Sequence, residues 1–359
     1  MIVKPKISYY AHHMGSGHIR HAQRVIDTDA FEVQVTSTGP RKTTLLSSEC
    51  QYVQLPSDVI TGSNFEPVAG EYLHYAPSHA SIVERFAALS EAWYQFRPDL
   101  VMVDVSVEVA LFARLSGYRV AMRRMPGNRT DRAHHLGYSV ADALFAYFPE
   151  ELDDESYLRE FGPKSHYLGT VAPTNQRLQG NSSLEQVQSL KSTARTVAVQ
   201  TSLGASVPLS QIVAAAKTAP LWTWVVLGSV EPDTQEIPTN VQMLGVVEEP
   251  DQWMRQAEVI ITSTGHNAVA AAAACRKPVI MIPENRPFEE QHVFARALSN
   301  TYGCQTVESW EQVTDWNALL DETLKDDPET LSRKLLRSPD GFAAALQEMV
   351  NTVLGCSIQ

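Results

Sequence analysis

Residues 258–298 read EVIITSTGHNAVAAAAACRKPVIMIPENRPFEEQHVFARAL, and this stretch decides the fold. Val259-Ile260-Ile261 is a β-branched apolar run too short for a helix, so it predicts a buried strand. Ser263, Thr264 and Gly265 follow as cap-forming residues. The alanine-rich run to Cys275 has the highest helix propensity in the chain. Arg276 and Lys277 sit where cations suit the helix dipole, and Pro278 ends the helix. Residues 279–282 form a second buried strand. The unit is β-turn-α-β, and its helix N-terminus is crowded with small residues. Such an end offers unpaired N–H groups to an anion, most often a phosphate. The same pattern also builds βαβ units that bind nothing.

Toward the N-terminus, residues 7–11 are an expected first strand, followed at once by HHMGSGHIRHAQRVI. Gly15-Ser16-Gly17-His18 is a tight glycine turn. After it Ile19, Ala22, Val25 and Ile26 recur at helical spacing. Strand, glycine loop and helix put a ligand site at the strand's carboxyl end. This is not the dinucleotide fingerprint, because the third glycine is missing and a histidine occupies the turn. An imidazole with an ordinary pKa of about 6.5 can take a proton at neutral pH, and a loop at a helix start can aim it. His18 is therefore the candidate base, ahead of His12, His13 and His21. His12, His13 and His18 are conceivable metal ligands, but no carboxylate lies near them in sequence, and no metal is expected.

Residues 31–37 alternate as a second strand, and 53–55 suggest a third. The long aromatic, Gly- and Pro-bearing loop over 56–75 either contacts a substrate or is an exposed insertion. Residues 82–96 are amphipathic, and 100–103 form a buried strand ending at Asp104. An aspartate there faces the ligand crevice of such folds. It either orients His18 and stabilises its protonated form, or caps the next helix. Residues 123–135, RRMPGNRTDRAHH, concentrate positive charge in an acidic chain. Arg123, Arg124 and His134 are candidates for holding an anionic acceptor group; the alternative is a solvated loop. Residues 175–193 are polar, with Gly, Asn and Ser clusters, and read as a linker. Strands are expected at 196–200, 222–227 and 241–246, with a phosphate-suited loop around Gly204. Two amphipathic helices, 310–324 and 331–353, close the chain.

The 359 residues suffice for two ordinary domains. A net charge of −12 argues against a nucleic-acid partner and against docking on anionic lipid by bulk charge. Cys50, Cys275, Cys304 and Cys356 show neither zinc spacing nor a disulfide framework. Neither a signal peptide nor a membrane span is expected, and a reducing cytoplasm is the simplest compartment.

The S-T-G turn, small-residue helix, R-K-P, strand, I-P and loop closing on E-Q resemble the donor-binding segment of GT-B glycosyltransferases. They are most similar to the family-28 group that includes the peptidoglycan N-acetylglucosaminyltransferase. G-x-G-H after the first strand resembles the N-terminal loop of that group. The form M-G-S-G-H-I-R-H also resembles a related GT-B hydrolase of UDP-sugars. The resemblance implies an α/β GT-B fold, two Rossmann-like domains with parallel sheets facing across a cleft. An acceptor domain would span 1–170, a linker 171–194 and a donor domain 195–340, with the last helix, 341–359, crossing back to the first domain. It implies that Ser263, Thr264, Gly265 and His266 face the donor phosphates, as do the loops of Gly15, Gly17 and Gly204. Glu290 and Gln291 would meet the donor sugar, and Val246 with Val247 the base. Ala271, or Ala272, stands where the family carries a glutamate that grips the ribose.

The activity implied is inverting, metal-independent transfer of a sugar from a nucleotide-sugar, with UDP the expected nucleotide. The acceptor would be a glycan, a lipid-linked compound or a small molecule, and no cofactor is implied beyond the nucleotide-sugar co-substrate. Hydrolysis with water as acceptor is one alternative, and a non-catalytic nucleotide-sugar binding or partner protein is another.

Overall fold

The computed structural model describes residues 4–12, 17–41, 45–60, 71–172, 195–201 and 207–355. Gly15, Gly204 and nearly all of the expected linker lie outside the described residues. The chain divides into two compact units. Unit 1 comprises Met1–Met125, Arg129–Gly169 and Ser338–Gln359; unit 2 comprises Pro126–Asn128 and Thr170–Arg337.

Unit 1 runs β1 (Lys6–Ala11), α1 (Gly17–Asp27), β2 (Glu32–Thr38), β3 (Gln51–Leu55), α2 (Ala80–Phe96), β4 (Leu100–Asp104), α3 (Val107–Leu115), β5 (Val120–Arg123), α4 (Arg132–Val140), β6 (Ala143–Ala146), α5 (Glu155–Phe161) and β7 (Ser165–Tyr167). The sheet order is β3-β2-β1-β4-β5-β6-β7. All neighbours are parallel. β4 reads LVMVD and is buried at every position. That is how a parallel strand covered on both faces reads, as a continuous apolar run rather than an alternation. Its Val101 and Val103 join Tyr10, Leu89, Trp93 and Tyr138 in one core. The strand order reverses between β1 and β4, which pair with Ala11 opposite Asp104. The carboxyl ends of these two strands form the crevice where α/β sheets take ligands.

Unit 2 repeats the plan with β8 (Arg195–Gln200), α6 (Leu209–Thr218), β9 (Trp222–Leu227), β10 (Val241–Gly245), α7 (Pro250–Gln256), β11 (Val259–Thr262), α8 (His266–Cys275), β12 (Val279–Met281), α9 (Glu290–Tyr302), β13 (Gln305–Thr306), α10 (Trp316–Thr323) and α11 (Thr330–Leu335). Its order is β10-β9-β8-β11-β12-β13, again parallel, with the reversal between β8 and β11. Trp222, Trp224, Trp310 and Trp316 pack into its core with Ile212 and Ile261.

Two expected helices are broken. Residues 310–324 form a single turn, Trp310–Gln312, and then α10, which Asp315 starts by accepting the Ala318 N–H at 3.0 Å. The expected helix over 331–353 is α11 followed by α12 (Pro339–Leu354). Pro339 has no N–H and suits a first helical turn, and Ser338 caps it by accepting the Gly341 N–H. The break coincides with the return of the chain to unit 1 at Ser338. No helix among the described residues is long and apolar enough to cross a membrane.

Candidate functional site

In unit 1, Gly17 opens α1 and His18 is its second residue. Its Nδ1 lies 3.0 Å from Oδ2 of Asp104, at the β1–β4 reversal. This facing carboxylate is what orients the ring. Edge-on, the His12 ring packs 5.6 Å away between centroids. The alternative role for Asp104, capping the following helix, falls to Ser106, which accepts the Val109 N–H at 3.2 Å. Between them Val105 adopts φ +64°. For a β-branched residue this left-handed backbone costs about 1–3 kcal/mol, and such strain collects at functional sites.

Asp104 is fully buried. Its Oδ1 accepts from Arg123 at 2.7 Å, and its Oδ2 from the Tyr9 hydroxyl at 3.0 Å. Burial alone would raise its pKa. Arg123 first and His18 second outweigh that and hold the carboxyl well below the usual carboxylate range. Tyr9 is in turn 3.0 Å from the Tyr147 hydroxyl. Burial, then the charge of Asp104, pushes the Tyr9 phenol well above its ordinary value, so it acts as a donor.

The expected cationic acceptor site is corrected by this geometry. Arg123 and Arg124 are each 5 % exposed. Arg123 is spent on Asp104, and Arg124 on Asp153 at 2.8 Å with the Tyr157 ring 4.3 Å away. Neither guanidinium is open to an anion from solvent. His134 is 4 % exposed and lies inside a chain of side chains. Arg129 donates to its Nε2 at 3.0 Å, and its Nδ1 lies 2.6 Å from Asp131 Oδ2, while His74 Nε2 meets Asp131 Oδ1 at 2.9 Å.

Donor atoms of His74, Asp131 and His134 fall within 4.8 Å of one another, the spacing of a possible metal site. Arginine can only donate, so His134 Nε2 must accept and Nδ1 must carry the proton given to Asp131. A nitrogen that donates has no lone pair for a metal, and the trio reads as a hydrogen-bonded chain. The triplet Asp27-Thr28-Asp29 has the D-x-D spacing used for metal–diphosphate sites. It closes α1 at the end remote from His18, with Asp27 held by Gln23 and Asp29 by Lys4, both at 2.6 Å.

In unit 2, β11 leads through Ser263 and Thr264 to Gly265, the N-cap of α8, and His266 is the first helical residue. No side chain caps this end. Gly265 has φ −64°, and an added Cβ would come no closer than 3.5 Å to its neighbours. Neither backbone nor packing therefore demands a glycine. Its absence of side chain leaves the helix N-terminus approachable, as phosphate binding requires.

Gln291 is 4 % exposed, and its amide is a staple. Oε1 accepts the N–H of Thr264 at 3.1 Å and of Glu284 at 2.9 Å, and the Thr264 hydroxyl donates to the Gln291 carbonyl at 2.8 Å. Through these bonds Gln291 ties the loop after β12 to the turn after β11. Glu290, the first residue of α9, is partly buried, preceded by Phe288 and Glu289, both left-handed at φ +60° and +51°.

A cleft of about 510 Å³ opens at the carboxyl ends of these strands, lined by Gln200, Thr201, Ser263, Glu284, Arg286 and His292 among others. Val246 is exposed after β10. Ala271 is partly exposed on α8, whereas Ala272 is fully buried, so only Ala271 is placed to present a side chain to a ligand. Sequence reasoning missed Tyr9 and the pairing of Arg123 with Asp104. The signal was available in part, since Arg123 also ends a strand next to β4.

Residues 227–341 match the glycosyltransferase family 28 C-terminal domain. The fold is similar to that of the spinosyn rhamnosyltransferase SpnG, with a TM-score of 0.68 and 14% identity over 97% of this chain and 100% of that one. SpnG is also known complexed with thymidine diphosphate and with spinosyn aglycone. MurG of Acinetobacter baumannii aligns with a TM-score of 0.62 and 16% identity over 98% of this chain and 100% of its own. The glycosyltransferase SnogD from Streptomyces nogalater aligns at 0.63 and 15%, over 96% and 99%. The sequence matches no curated protein. At these identities the likeness is one of fold, that of the GT-B glycosyltransferases with their two parallel sheets.

Proposed function

We propose that this chain, a GT-B fold whose residues 227–341 match a family 28 glycosyltransferase domain, transfers a sugar from a nucleotide-sugar to an acceptor hydroxyl. The observation that carries the reading is the imidazole of His18 backed by the buried carboxylate of Asp104 at the switch point of unit 1. A bare binding protein needs no such pair. His18 takes the proton of the acceptor hydroxyl as the oxygen attacks the anomeric carbon, and Asp104 stabilises the imidazolium that forms. The bond from that carbon to the diphosphate breaks, and the N-terminus of α8 receives the charge that develops on the leaving group. One direct displacement inverts the anomeric centre, and no step in it calls for a metal. Unit 2 holds the donor through Ser263, Thr264, Gly265 and His266, and UDP is the expected nucleotide. Because Arg124 and His134 are engaged internally, the acceptor is a hydroxyl compound that needs no arginine clamp.

The test is a thermal-shift panel of UDP-, GDP- and dTDP-sugars, followed by product analysis with and without acceptor. A ligand that binds only the folded chain must raise its melting temperature. A shift with one nucleotide family, and transfer abolished in His18→Ala, is the expected result. Release of free sugar without acceptor would turn the assignment to hydrolysis. Binding without turnover, or no shift with any donor, would overturn the enzymatic reading.

A further inference from the structure

We infer that Arg123 is a positioning residue for the His18–Asp104 pair: it locks one oxygen of Asp104 and offsets the carboxylate charge, so that the other oxygen aims the His18 ring without holding a proton on it. The inference rests on the reading of His18 as the base.

A carboxylate with no exposure, 3.0 Å from an imidazole and otherwise uncompensated, would bind an imidazolium tightly. A base trapped in its protonated form cannot accept the proton of a hydroxyl. Asp104 is compensated, however. Arg123 NH1 sits 2.7 Å from Oδ1, the oxygen turned away from His18, and Tyr9 donates to Oδ2 without adding charge. The guanidinium has little else to do. Its Nε has no hydrogen-bond partner among the described residues, and its face lies 4.9 Å from the Tyr147 ring. Burial lowers the Arg123 pKa, but Asp104, together with Tyr9 and Tyr147, more than restores it, so the guanidinium stays charged.

Stability does not explain the pair. Replacing a buried ion pair by apolar side chains of similar volume is often neutral or stabilising. Arg123 ends β5 as Asp104 ends β4, so the sheet itself sets the contact.

Other titratable groups surround the pair. From β1 come Tyr9 and, just past its end, His12. Tyr147 follows β6; its phenol is raised above the ordinary value, first by burial and then by Asp104, so it is neutral. Further along α1, His21 stacks on Tyr147 at 4.2 Å and lies 3.1 Å from Arg24. Burial brings Arg24 down to about 10, which leaves it cationic at neutral pH, and Arg20 is lowered by burial as well. These cations act alongside Arg123, but among the described residues only Arg123 is the cation that touches the carboxylate facing His18.

The experiment follows the His18 ring by NMR across pH in the native chain, Arg123→Met, Arg123→Lys and Asp104→Asn. Removing the guanidinium is expected to move the His18 titration midpoint up by about one pH unit, the size of a nearby-charge effect. Arg123→Lys keeps the charge and should restore the midpoint to within about half a unit of native. Asp104→Asn leaves Arg123 unopposed and should move it down. A folded Arg123→Met variant whose midpoint does not move would overturn the inference. Should that variant not fold, Asp104→Asn decides alone, and an unmoved or raised midpoint there overturns it equally. No substrate enters this measurement. A chain that transfers no sugar but shows these shifts therefore overturns the proposed activity and leaves the charge coupling standing.

Discussion

His18 Nδ1 and Asp104 Oδ2 stand 3.0 Å apart where two neighbouring parallel strands end. The histidine comes from the helix after one strand and the aspartate from the last residue of the other. Contact between residues so far apart in sequence follows from the sheet order alone. His18→Ala should lower turnover about 10²–10⁴-fold, the usual worth of a positioned base. On the proposed reading, in which unit 2 holds the donor, the donor-induced thermal shift should stay as it is. A variant retaining most of its turnover would remove His18 from proton transfer.

Gln291→Leu takes away the acceptor that two backbone N–H groups share, those of Thr264 and Glu284. Leaving buried donors unpaired costs roughly 1–3 kcal/mol. The expected phenotype is a lower unfolding midpoint together with a raised KM for the donor, as the turn before α8 loosens. Chemical denaturation and donor saturation curves read both. An unchanged KM would mean that this turn does not hold the donor.

Val105→Gly relieves a left-handed β-branched residue next to Asp104. The relief of about 1–3 kcal/mol outweighs the extra unfolded-state entropy of glycine, roughly 0.5–1 kcal/mol. The variant should unfold at equal or higher denaturant concentration than the native chain. A clear loss of stability would show that the contacts of the valine side chain outweigh its backbone strain.

His134 has its pKa lowered to about 4, first by burial and further by Arg129, against the opposing hydrogen bond to Asp131. Its folded value lies below its unfolded one, so the unfolded chain binds the proton more readily. The contribution to stability is complete above about pH 6.5 and is lost as pH falls from there toward 4. A loss of about 3 kcal/mol is expected across that window. His134→Gln, which can keep both hydrogen-bond partners, should flatten the dependence measured by denaturation at stepped pH.

Ala271→Glu places a carboxylate on the partly exposed face of α8. If a nucleoside diphosphate lies along this helix, the new side chain should tighten it several-fold through the ribose hydroxyls, an effect of about 1 kcal/mol. Titration with UDP and dTDP, which differ in the 2′-hydroxyl, separates ribose recognition from a general effect. Weaker binding of both would place the nucleotide elsewhere.

The βαβ unit at 258–298 was legible because local propensity, capping and burial agree there, and β11, α8 and β12 follow the expected lines. His18 and Asp104 were legible as separate candidates because each ends or follows a strand. Arg123, the partner of Asp104, was not, since a cationic run in an acidic chain reads as surface until its counter-ions are placed. Arg124 shows the same failure: Asp153, which neutralises it, lies 29 residues along. The backbone bonds of Gln291 were not legible either, as nothing local says whether a glutamine amide faces a ligand or a backbone. The helix over 331–353 was joined across Pro339 because its apolar spacing continues on both sides of a proline that begins a helix as readily as it ends one.

Ser338–Gln359 belongs to the unit begun by the first residues, and α12 buries Phe342, Leu346, Met349 and Val350 there. Phe342 packs over Tyr147, whose hydroxyl is bonded to Tyr9 of the His18–Asp104 cluster. During synthesis the nascent first unit therefore lacks this layer until the whole second unit has left the ribosome. Loss of Ser338–Gln359 would strip an apolar layer from beside the His18–Asp104 cluster. A stop codon before Ser338 is thus a lesion of the N-terminal half.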